Sequence, residues 1–165
     1  MKVLRYQRKK TGRIELGIQT QTGILPLSGF MENAPHSMLE LFSSPFWKNI
    51  ANLHILTDGP ILSPDEITFL PSIARPGKIL CVGLNYRDHV LEGGRDIPNF
   101  PTIFLKASSS VVAHQQAIQI PVGSTMVDLE AELAVVIGKV GKNISAKDAY
   151  EHIAGYTILN DVSER

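Results

Sequence analysis

The sequence is poor in the features that mark export, membrane insertion or nucleic-acid binding. Its single cysteine, Cys81, excludes an internal disulfide and lies in an apolar run, where a thiol packs as a small hydrophobic group. Sixteen basic residues balance sixteen acidic ones, so no net charge attracts nucleic acid or an anionic membrane. No apolar run approaches the roughly 18 residues of a spanning helix, and the N-terminus has no apolar signal core. We therefore expect a cytoplasmic protein without a nucleic-acid or membrane partner.

The common short catalytic motifs are absent as well. The chain has no Gly-x-Gly-x-x-Gly, P-loop, Gly-x-Ser-x-Gly or Cys-x-x-Cys sequence. Four histidines have no partner at a metal-ligand spacing and are interpreted as surface or core residues: His36, His54, His114 and His152. One basic cluster is either a solvated strand and turn surface or a contact for a partner, and it comprises Lys2, Arg5, Arg8, Lys9, Lys10 and Arg13.

Enough apolar material for a core is present, since 44% of the 165 residues are hydrophobic. Three short apolar runs separated by Thr-Gly turns predict a small antiparallel meander, and they lie at 3–6, 14–18 and 24–27. A loose helical stripe over 37–53 is interrupted by Pro45, which predicts two short helices. The opening of the chain is therefore expected to be a β-rich unit.

A proline-rich stretch at 60–76 predicts a linker or an irregular surface segment. We place a domain boundary near residue 72, between a small N-terminal domain with its linker (1–72) and a second domain (73–165). Beyond the boundary the chain reads as mostly β, with one short helix at 85–92 and a capped helical turn at 145–150. The predicted strands are 78–83, 102–106, 129–137 and 153–162. The fold class expected is mainly β with short helices (α+β).

Glu130 and Glu132 are the strongest local feature of the sequence. Side chains at positions i and i+2 of a strand share one face, so the two carboxylates come close together and repel each other. A cation relieves that repulsion, and an all-carboxylate site selects Mg²⁺, Mn²⁺ or Ca²⁺ over zinc. A solvated acidic face on an edge strand explains the pair equally well, and Asp128 is expected on the same face.

Asp161 is embedded at the end of the apolar run 158–162. Burial of its carboxylate there is costly without a partner, which a metal would supply. A turn or cap role for Asn160-Asp161 fits the sequence at least as well. Lys106, which ends another apolar run, is either a strand lysine that reaches solvent or a contact for an anion.

His89 and Glu92 lie three residues apart, on the same side of a helical turn. At that spacing a carboxylate can orient an imidazole and raise its basicity, and such a pair can activate water. The same spacing is common on ordinary helix surfaces. Gly93-Gly94 directly afterwards is either a helix stop or a hinge that lets the helix close over a ligand.

Four motifs taken together are more specific than any one of them. They are GLNYRDHVLE at 83–92, PTIFLK at 101–106, DLEAELAVVIGK at 128–139 and GYTILNDVS at 155–163. In this order and spacing the chain closely resembles the fumarylacetoacetate hydrolase family from about residue 76 to its end. The resemblance implies a small N-terminal β-rich domain followed by the first part of that family's mixed β-roll.

The resemblance also implies a site. A divalent cation, usually Mg²⁺ with Mn²⁺ or Ca²⁺ as alternatives, would be held by Glu130, Glu132 and Asp161 and would chelate a 1,3-dicarbonyl or 2-oxo acid substrate. His89 and Glu92 match the family's water-activating pair, and Lys106 matches a lysine near the pocket. The implied reactions include hydrolysis of the carbon–carbon bond in acylpyruvates or fumarylpyruvate, decarboxylation of oxaloacetate, and steps of aromatic catabolism.

The resemblance has one large departure. The family's catalytic domain continues well beyond the Asn-Asp-Val-Ser motif, usually through Ala-Arg-Asp, where this chain has Glu164-Arg165. We therefore expect a member cut short on its C-terminal side, whose full-length parent is a homodimer. Whether this chain is itself an enzyme stays open, and the alternative is an inactive family fragment that serves as a metal-binding or assembly subunit.

Overall fold

A computed structural model describes residues 1–47, 49–50 and 59–164. The secondary structure of that part is mainly β, with short helices, as the sequence predicts. The strands are β1 (Lys2–Arg8), β2 (Ile14–Gln19), β3 (Ile24–Pro26), β4 (Ile67–Leu70), β5 (Ile79–Gly83), β6 (Thr102–Lys106), β7 (Val127–Asp128), β8 (Ala131–Ile137), β9 (Ile153–Asn160) and β10 (Ser163–Glu164). The α-helices are α1 (Met38–Ser43) and α2 (Arg87–Glu92), and no helix in the described part has the length and hydropathy that a membrane crossing requires.

The N-terminal strands form one four-stranded antiparallel sheet in the order β3-β2-β1-β4. The predicted meander of the first three strands is confirmed. The interpretation of 60–76 as a linker or irregular surface is wrong for its middle, because β4 pairs with β1 and Leu62 bridges Ile24. The physical reason is that Leu62 and Ile67 are buried in the core of the sheet. The prolines on either side of them indicate a loop when only the sequence is considered.

Helix α1 covers one face of this sheet. Its Met38 and Leu41 pack with Leu16 and Ile18 of β2, and burying each such side chain contributes about 1.5–3 kcal/mol. The helix begins at Ser37, whose hydroxyl oxygen accepts the Glu40 N–H at 3.2 Å.

The second half of the predicted helical stripe is described only in part. Residues 45–47 form a 3-10 turn after α1, so the predicted break at Pro45 is confirmed. Residues 48 and 51–53 of the stripe, together with His54, lie outside the described residues.

Three antiparallel pairs follow, β5 with β6, β8 with β9 and β7 with β10. The predicted strands near 78–83, 102–106, 129–137 and 153–162 all form, although β8 begins at Ala131 and β9 ends at Asn160. The turn predicted at 145–150 is a 3-10 helix, Ala146–His152. Its capping was predicted wrongly, because the Ser145 hydroxyl bonds the Asp148 carboxylate at 2.6 Å and accepts no backbone N–H. The division near residue 72 stays a prediction.

The β8–β9 ribbon has two unlike faces. Leu133 is paired across the strands with Ile158, and these side chains are 64% and 87% exposed. Tyr156 and Val135 extend the same exposed face, whereas the opposite face begins with Glu132 and is partly buried. The β5–β6 ribbon likewise exposes Leu80, Val82, Ile103 and Leu105. Such faces are typical of surfaces that another part of a protein, or another protein, covers.

Candidate metal centre

The β8–β9 register brings Glu130, Glu132 and Asp161 to one face of the ribbon. Glu132 is paired with Leu159 and Ala131 with Asn160, so Glu130 stands opposite Asp161 at the next position. The Asp161 N–H donates to the Glu130 carbonyl oxygen at 2.8 Å, which continues the ladder to that position. Directly opposed residues in an antiparallel pair share a face, as do residues two apart on one strand. The predicted i, i+2 relation of Glu130 and Glu132 is therefore present at the end of the ribbon.

Asp161 is the buried member of this set, with 5% of its surface exposed. The Lys106 ammonium at the end of β6 donates to the Asp161 carboxylate and also to the Val162 carbonyl oxygen, at 3.2 Å in the second case. The sequence predicts Lys106 and Asp161 as two separate candidate site residues. The structure brings them into direct contact. The carboxylate has a charged partner, as burial requires.

The side chain of Asn160 makes a contact that the sequence did not predict. Its side-chain oxygen accepts the Glu130 N–H at 3.2 Å, which ties the chain just before β8 to the end of β9. The contact differs from the turn or cap role that the sequence allows for Asn160-Asp161, because the short polar side chain bonds backbone across strands. The sequence offers one indication of this contact, the position of Asn160 directly before Asp161.

Asp128 does not lie in β8, the strand that contains Glu132 and directly follows Glu130. It ends β7, is paired with Ser163 of β10, and its carboxylate accepts the N–H of Leu129 at 2.8 Å. The strand breaks between Asp128 and β8, so the regular alternation that predicted Asp128 on the same face as the two glutamates is interrupted at residues 129–130. The local bond to the next residue, which short acidic side chains favour, is the reason.

Three carboxylates suit a hard divalent cation in kind, and the ribbon presents them on one side. The buried carboxylate already has a cation beside it, the Lys106 ammonium. Among residues 1–47, 49–50 and 59–164, however, no three His, Cys, Asp or Glu side chains lie close enough together to hold a metal ion. The three carboxylates thus have the donor type that the ion prefers and lie on one face of the ribbon. They are not, however, gathered around one point.

His89 and Glu92 both lie exposed on α2, three residues apart as predicted. No hydrogen bond or ion pair joins their side chains in the described part of the chain. The helix is held by Val90, which is 1% exposed. It ends in a Schellman motif, because the Arg95 N–H bonds the Val90 carbonyl and Gly94 has φ +64°. This geometry supports the helix stop over the hinge.

A second polar cluster, which the sequence did not reveal, lies in the N-terminal sheet. Glu15 is 6% exposed and accepts hydrogen bonds from Arg8, from Ser28 at 2.9 Å and from Tyr6 at 3.4 Å. Burial by itself raises the pKa of Glu15, but the hydrogen bonds from Arg8 and Ser28, with the charges of Arg8 and Arg13, outweigh it and hold that pKa below its usual value. The pKa of Tyr6 is raised, mainly by its burial and next by the negative charge of Glu15. None of the predicted site residues belongs to this cluster.

Known proteins similar to this chain agree with its motifs. Residues 78–165 match the family described as "Fumarylacetoacetate (FAA) hydrolase C-terminal", which is more than half of the chain. The chain belongs to the fumarylacetoacetate hydrolase family. The predicted family and the predicted fold class are confirmed.

A curated relative and two solved structures show how far the similarity reaches. Oxaloacetate tautomerase FAHD2A, mitochondrial, of Bos taurus is 38% identical over 168 residues, which covers 100% of this chain and 54% of the relative. Fumarylacetoacetate hydrolase from Exiguobacterium antarcticum superposes with TM-score 0.74 at 28% identity, covering 100% of this chain and 57% of that one. Maleylpyruvate hydrolase from Sphingobium sp. SYK-6, in complex with manganese(II) ion and pyruvate, gives TM-score 0.78 at 22% identity, over 100% and 60%, and shows the fold alone. The chain spans about half the length of the curated relatives it matches.

The expected cytoplasmic localisation is wrong by this comparison, because the similar tautomerase is named as a mitochondrial protein. The absence of an apolar run near residue 1 bears only on secretory signals, because organelle transit peptides are amphipathic and basic and have no such run.

Proposed function

We propose that this chain carries the metal-binding half of an enzyme that acts on a small 2-oxo acid or 1,3-dicarbonyl compound, with Mg²⁺ or Mn²⁺ as its metal. The single observation that supports this most is the carboxylate face of the β8–β9 ribbon, where Glu130, Glu132 and the buried Asp161 share one side. Two further glutamates of the chain, Glu15 and Glu151, are already engaged by arginine or lysine elsewhere.

The names of similar proteins support the substrate class. One relative is an oxaloacetate tautomerase, and one similar structure is a maleylpyruvate hydrolase with manganese(II) ion and pyruvate. Oxaloacetate, maleylpyruvate and pyruvate all have a carbonyl beside a carboxylate, which offers two oxygens to one cation. Acylpyruvate hydrolysis, oxaloacetate decarboxylation and oxaloacetate tautomerisation all begin from that arrangement.

Glu130, Glu132 and Asp161 would hold the cation. When bound, it supplies positive charge to the two oxygens of the 2-oxo acid. Lys106 fixes the carboxylate of Asp161 through its ammonium group and is itself tied to the Val162 carbonyl. Asn160 fixes the backbone of Glu130. These contacts orient two of the three ligands.

His89 is the residue proposed to move a proton. A neutral ring nitrogen of His89 accepts the proton from water in a hydrolysis, or from the carbon beside the carbonyl in a tautomerisation. Glu92, one turn along α2, can accept a hydrogen bond from the other ring nitrogen once both side chains rotate toward each other, because residues three apart are neighbours on a helix. The exposure of both side chains leaves them accessible to substrate and water.

The test combines a binding probe with a reaction. Oxalate, which offers two adjacent oxygens like a 2-oxo acid, is titrated into the 165-residue chain with Mn²⁺ present, and oxaloacetate consumption is followed by absorbance. We expect oxalate binding, and we expect His89→Asn to lower the rate about a hundredfold or more while binding persists. His36→Asn, an exposed histidine of the N-terminal unit, is the matched control. A folded chain that neither binds oxalate nor consumes oxaloacetate would contradict the proposal.

A second candidate function is that of an assembly subunit without activity of its own. The observation in its favour is the exposed apolar face that Leu133, Val135, Tyr156 and Ile158 form on the β8–β9 ribbon. A face of this kind associates with other chains, and the proposed homodimer of a full-length parent would use such surfaces too. Association without oxalate binding would favour this candidate.

A further inference from the structure

The basic residues near the start of the chain do not all belong to one surface. Arg8 and Arg13 line a cavity of about 460 Å³ beside the N-terminal sheet, whereas the exposed Lys2, Lys9 and Lys10 do not line it. Binding sites for small molecules commonly measure roughly 300–1,000 Å³, so this cavity has room for a small ligand. The sequence left open whether the basic cluster contacts a partner, and the cavity distinguishes two of its members.

The turn between β1 and β2 brings the two arginines together. The Arg8 N–H donates to the Arg13 carbonyl oxygen at 2.9 Å, and the Gly12 N–H donates to the Arg8 carbonyl oxygen at 2.8 Å. The Arg8 side chain is held by the bond from its Nε to the buried Glu15 carboxylate. A guanidinium group has more N–H donors than this one contact uses, and the Arg13 side chain is 68% exposed. Both arginines therefore keep donors for a further acceptor.

The other wall of the cavity comes from the segment that follows β3. It includes Met31, Glu32 and Ala34. Met31 and Ala34 pack against the hydrophobic core, so this wall is held in place and presents apolar surface. Glu32 is exposed, and its carboxylate has no hydrogen bond or ion pair with the residues that the structure describes. The wall thus offers a carboxylate for a cation next to apolar side chains.

The charges that line the cavity balance each other. Two arginines and two glutamates belong to the lining, so its formal charge is zero when His36, which also lines it, is neutral. A ligand with only a negative charge is repelled by Glu32 and by Glu15 behind the arginines. A ligand with only a positive charge is repelled by Arg8 and Arg13. A small molecule that carries one charge of each sign can satisfy both walls.

We infer that this cavity is a binding site for a small zwitterion with an apolar side chain, which is the chemistry of a free apolar α-amino acid. The ligand's carboxylate binds Arg8 and Arg13, its ammonium group binds Glu32, and its side chain packs against Met31 and Ala34. The inference does not depend on the proposed function, because the cavity is built from residues within 8–36, all of them outside the candidate metal centre.

Three probes with one carbon skeleton test this. They are L-leucine, 4-methylpentanoate, which lacks the ammonium group, and 3-methylbutylamine, which lacks the carboxylate. Each is titrated into the ¹⁵N-labelled 165-residue chain, and the backbone amide shifts give both the dissociation constant and the location of binding. We expect L-leucine to shift amides within 8–15 and 31–36. We also expect it to bind about fivefold more tightly than either analogue, which is the effect of one solvent-exposed ion pair.

Arg13→Gln and Glu32→Gln test the two charges separately. Both residues are exposed, so both variants should fold, which thermal unfolding checks. We expect Arg13→Gln to weaken binding of L-leucine and 4-methylpentanoate about fivefold and to leave 3-methylbutylamine no weaker. Glu32→Gln should weaken L-leucine and 3-methylbutylamine and leave 4-methylpentanoate no weaker. Lys10→Gln, which changes an exposed basic residue of the same turn outside the cavity, is the matched control.

The other outcomes contradict the inference. Equal affinities for L-leucine and 4-methylpentanoate would show a site for anions only. L-leucine that shifts no amides at concentrations near its solubility would show that the cavity takes no such ligand. Shifts confined to other parts of the chain, or affinities that neither Arg13→Gln nor Glu32→Gln changes, would place the binding elsewhere.

Discussion

Asp161 and Glu130 face each other across the end of the β8–β9 ribbon, joined by a hydrogen bond of 2.8 Å from the Asp161 N–H to the Glu130 carbonyl oxygen. Because of this pairing, two acids 31 positions apart in the chain lie on the same side of one ribbon, and Glu132 joins them from two residues along β8. Backbone pairing thus determines which side of the ribbon carries the three carboxylates.

Glu15→Gln should destabilise the N-terminal sheet and make the stability of the chain less dependent on pH. The change leaves Arg8, which is partly buried, without its charged partner, at a cost of about 1–3 kcal/mol. The folded pKa of Glu15 is held below its usual value, so the unfolded chain binds the proton more readily. The stabilising effect is therefore complete above the ordinary pKa of a glutamate, about 4.3, and is lost as the pH falls from there through the lower pKa of the folded state.

Urea unfolding followed by the fluorescence of Trp47 measures this, since the only tryptophan packs against the N-terminal core and contacts Phe42 ring to ring at 4.9 Å. Glu32→Gln is the matched control, because Glu32 is exposed. A Glu15→Gln chain that loses stability with falling pH as steeply as the wild type does would refute the account of this cluster.

Gly23→Ala should destabilise the same sheet. A Cβ at Gly23 would stand 2.5 Å from the Leu62 carbonyl oxygen. Gly23 also has φ +153°, a backbone conformation that residues other than glycine rarely adopt. The expected cost is about 1–3 kcal/mol, because the clash is with backbone of the bridging segment. Gly77→Ala, where a Cβ meets nothing within 4 Å, should be nearly neutral. Equal stabilities of the two variants by urea unfolding would show that residue 62 does not approach the 20–24 turn.

Leu133→Ser with Ile158→Ser should reduce self-association. The two side chains oppose each other on the exposed apolar face of the β8–β9 ribbon, where no described part of the chain covers them. Sedimentation at increasing concentration should show association of the wild type and less of it in the double variant. Leu39→Ser, which removes an isolated exposed leucine of α1, should change nothing. Unaltered association in the double variant would place the interface elsewhere.

Local patterns predicted the strands well. The run Thr102–Lys106 was predicted with its observed ends, and the alternation around Glu130 and Glu132 predicted which side chains share a face. These features depend on residues one to four apart, so the sequence alone expresses them. The fold class and the family followed from the same patterns and motifs.

What the sequence did not express depends on contacts between distant residues. Strand β4 was read as part of a linker because its pairing with β1 joins residues about 60 positions apart. The ion pair of Lys106 with Asp161 joins residues 55 positions apart, and the bond from Glu130 to Asn160 joins residues 30 positions apart. Leu84 adopts φ +55° just before α2, although leucine carries no signal for a left-handed conformation. Only tertiary structure determines such features.

The most direct test of the metal centre is a calorimetric titration of the 165-residue chain with Mn²⁺, compared with a Glu130→Gln, Glu132→Gln double variant. Glu151→Gln, which removes an exposed carboxylate paired with Lys139 at the surface, is the control. We expect saturable binding by the wild type and the control and loss of binding in the double variant. Binding that survives in the double variant, or a folded wild-type chain that binds no Mn²⁺, would contradict the assignment of these carboxylates to a metal.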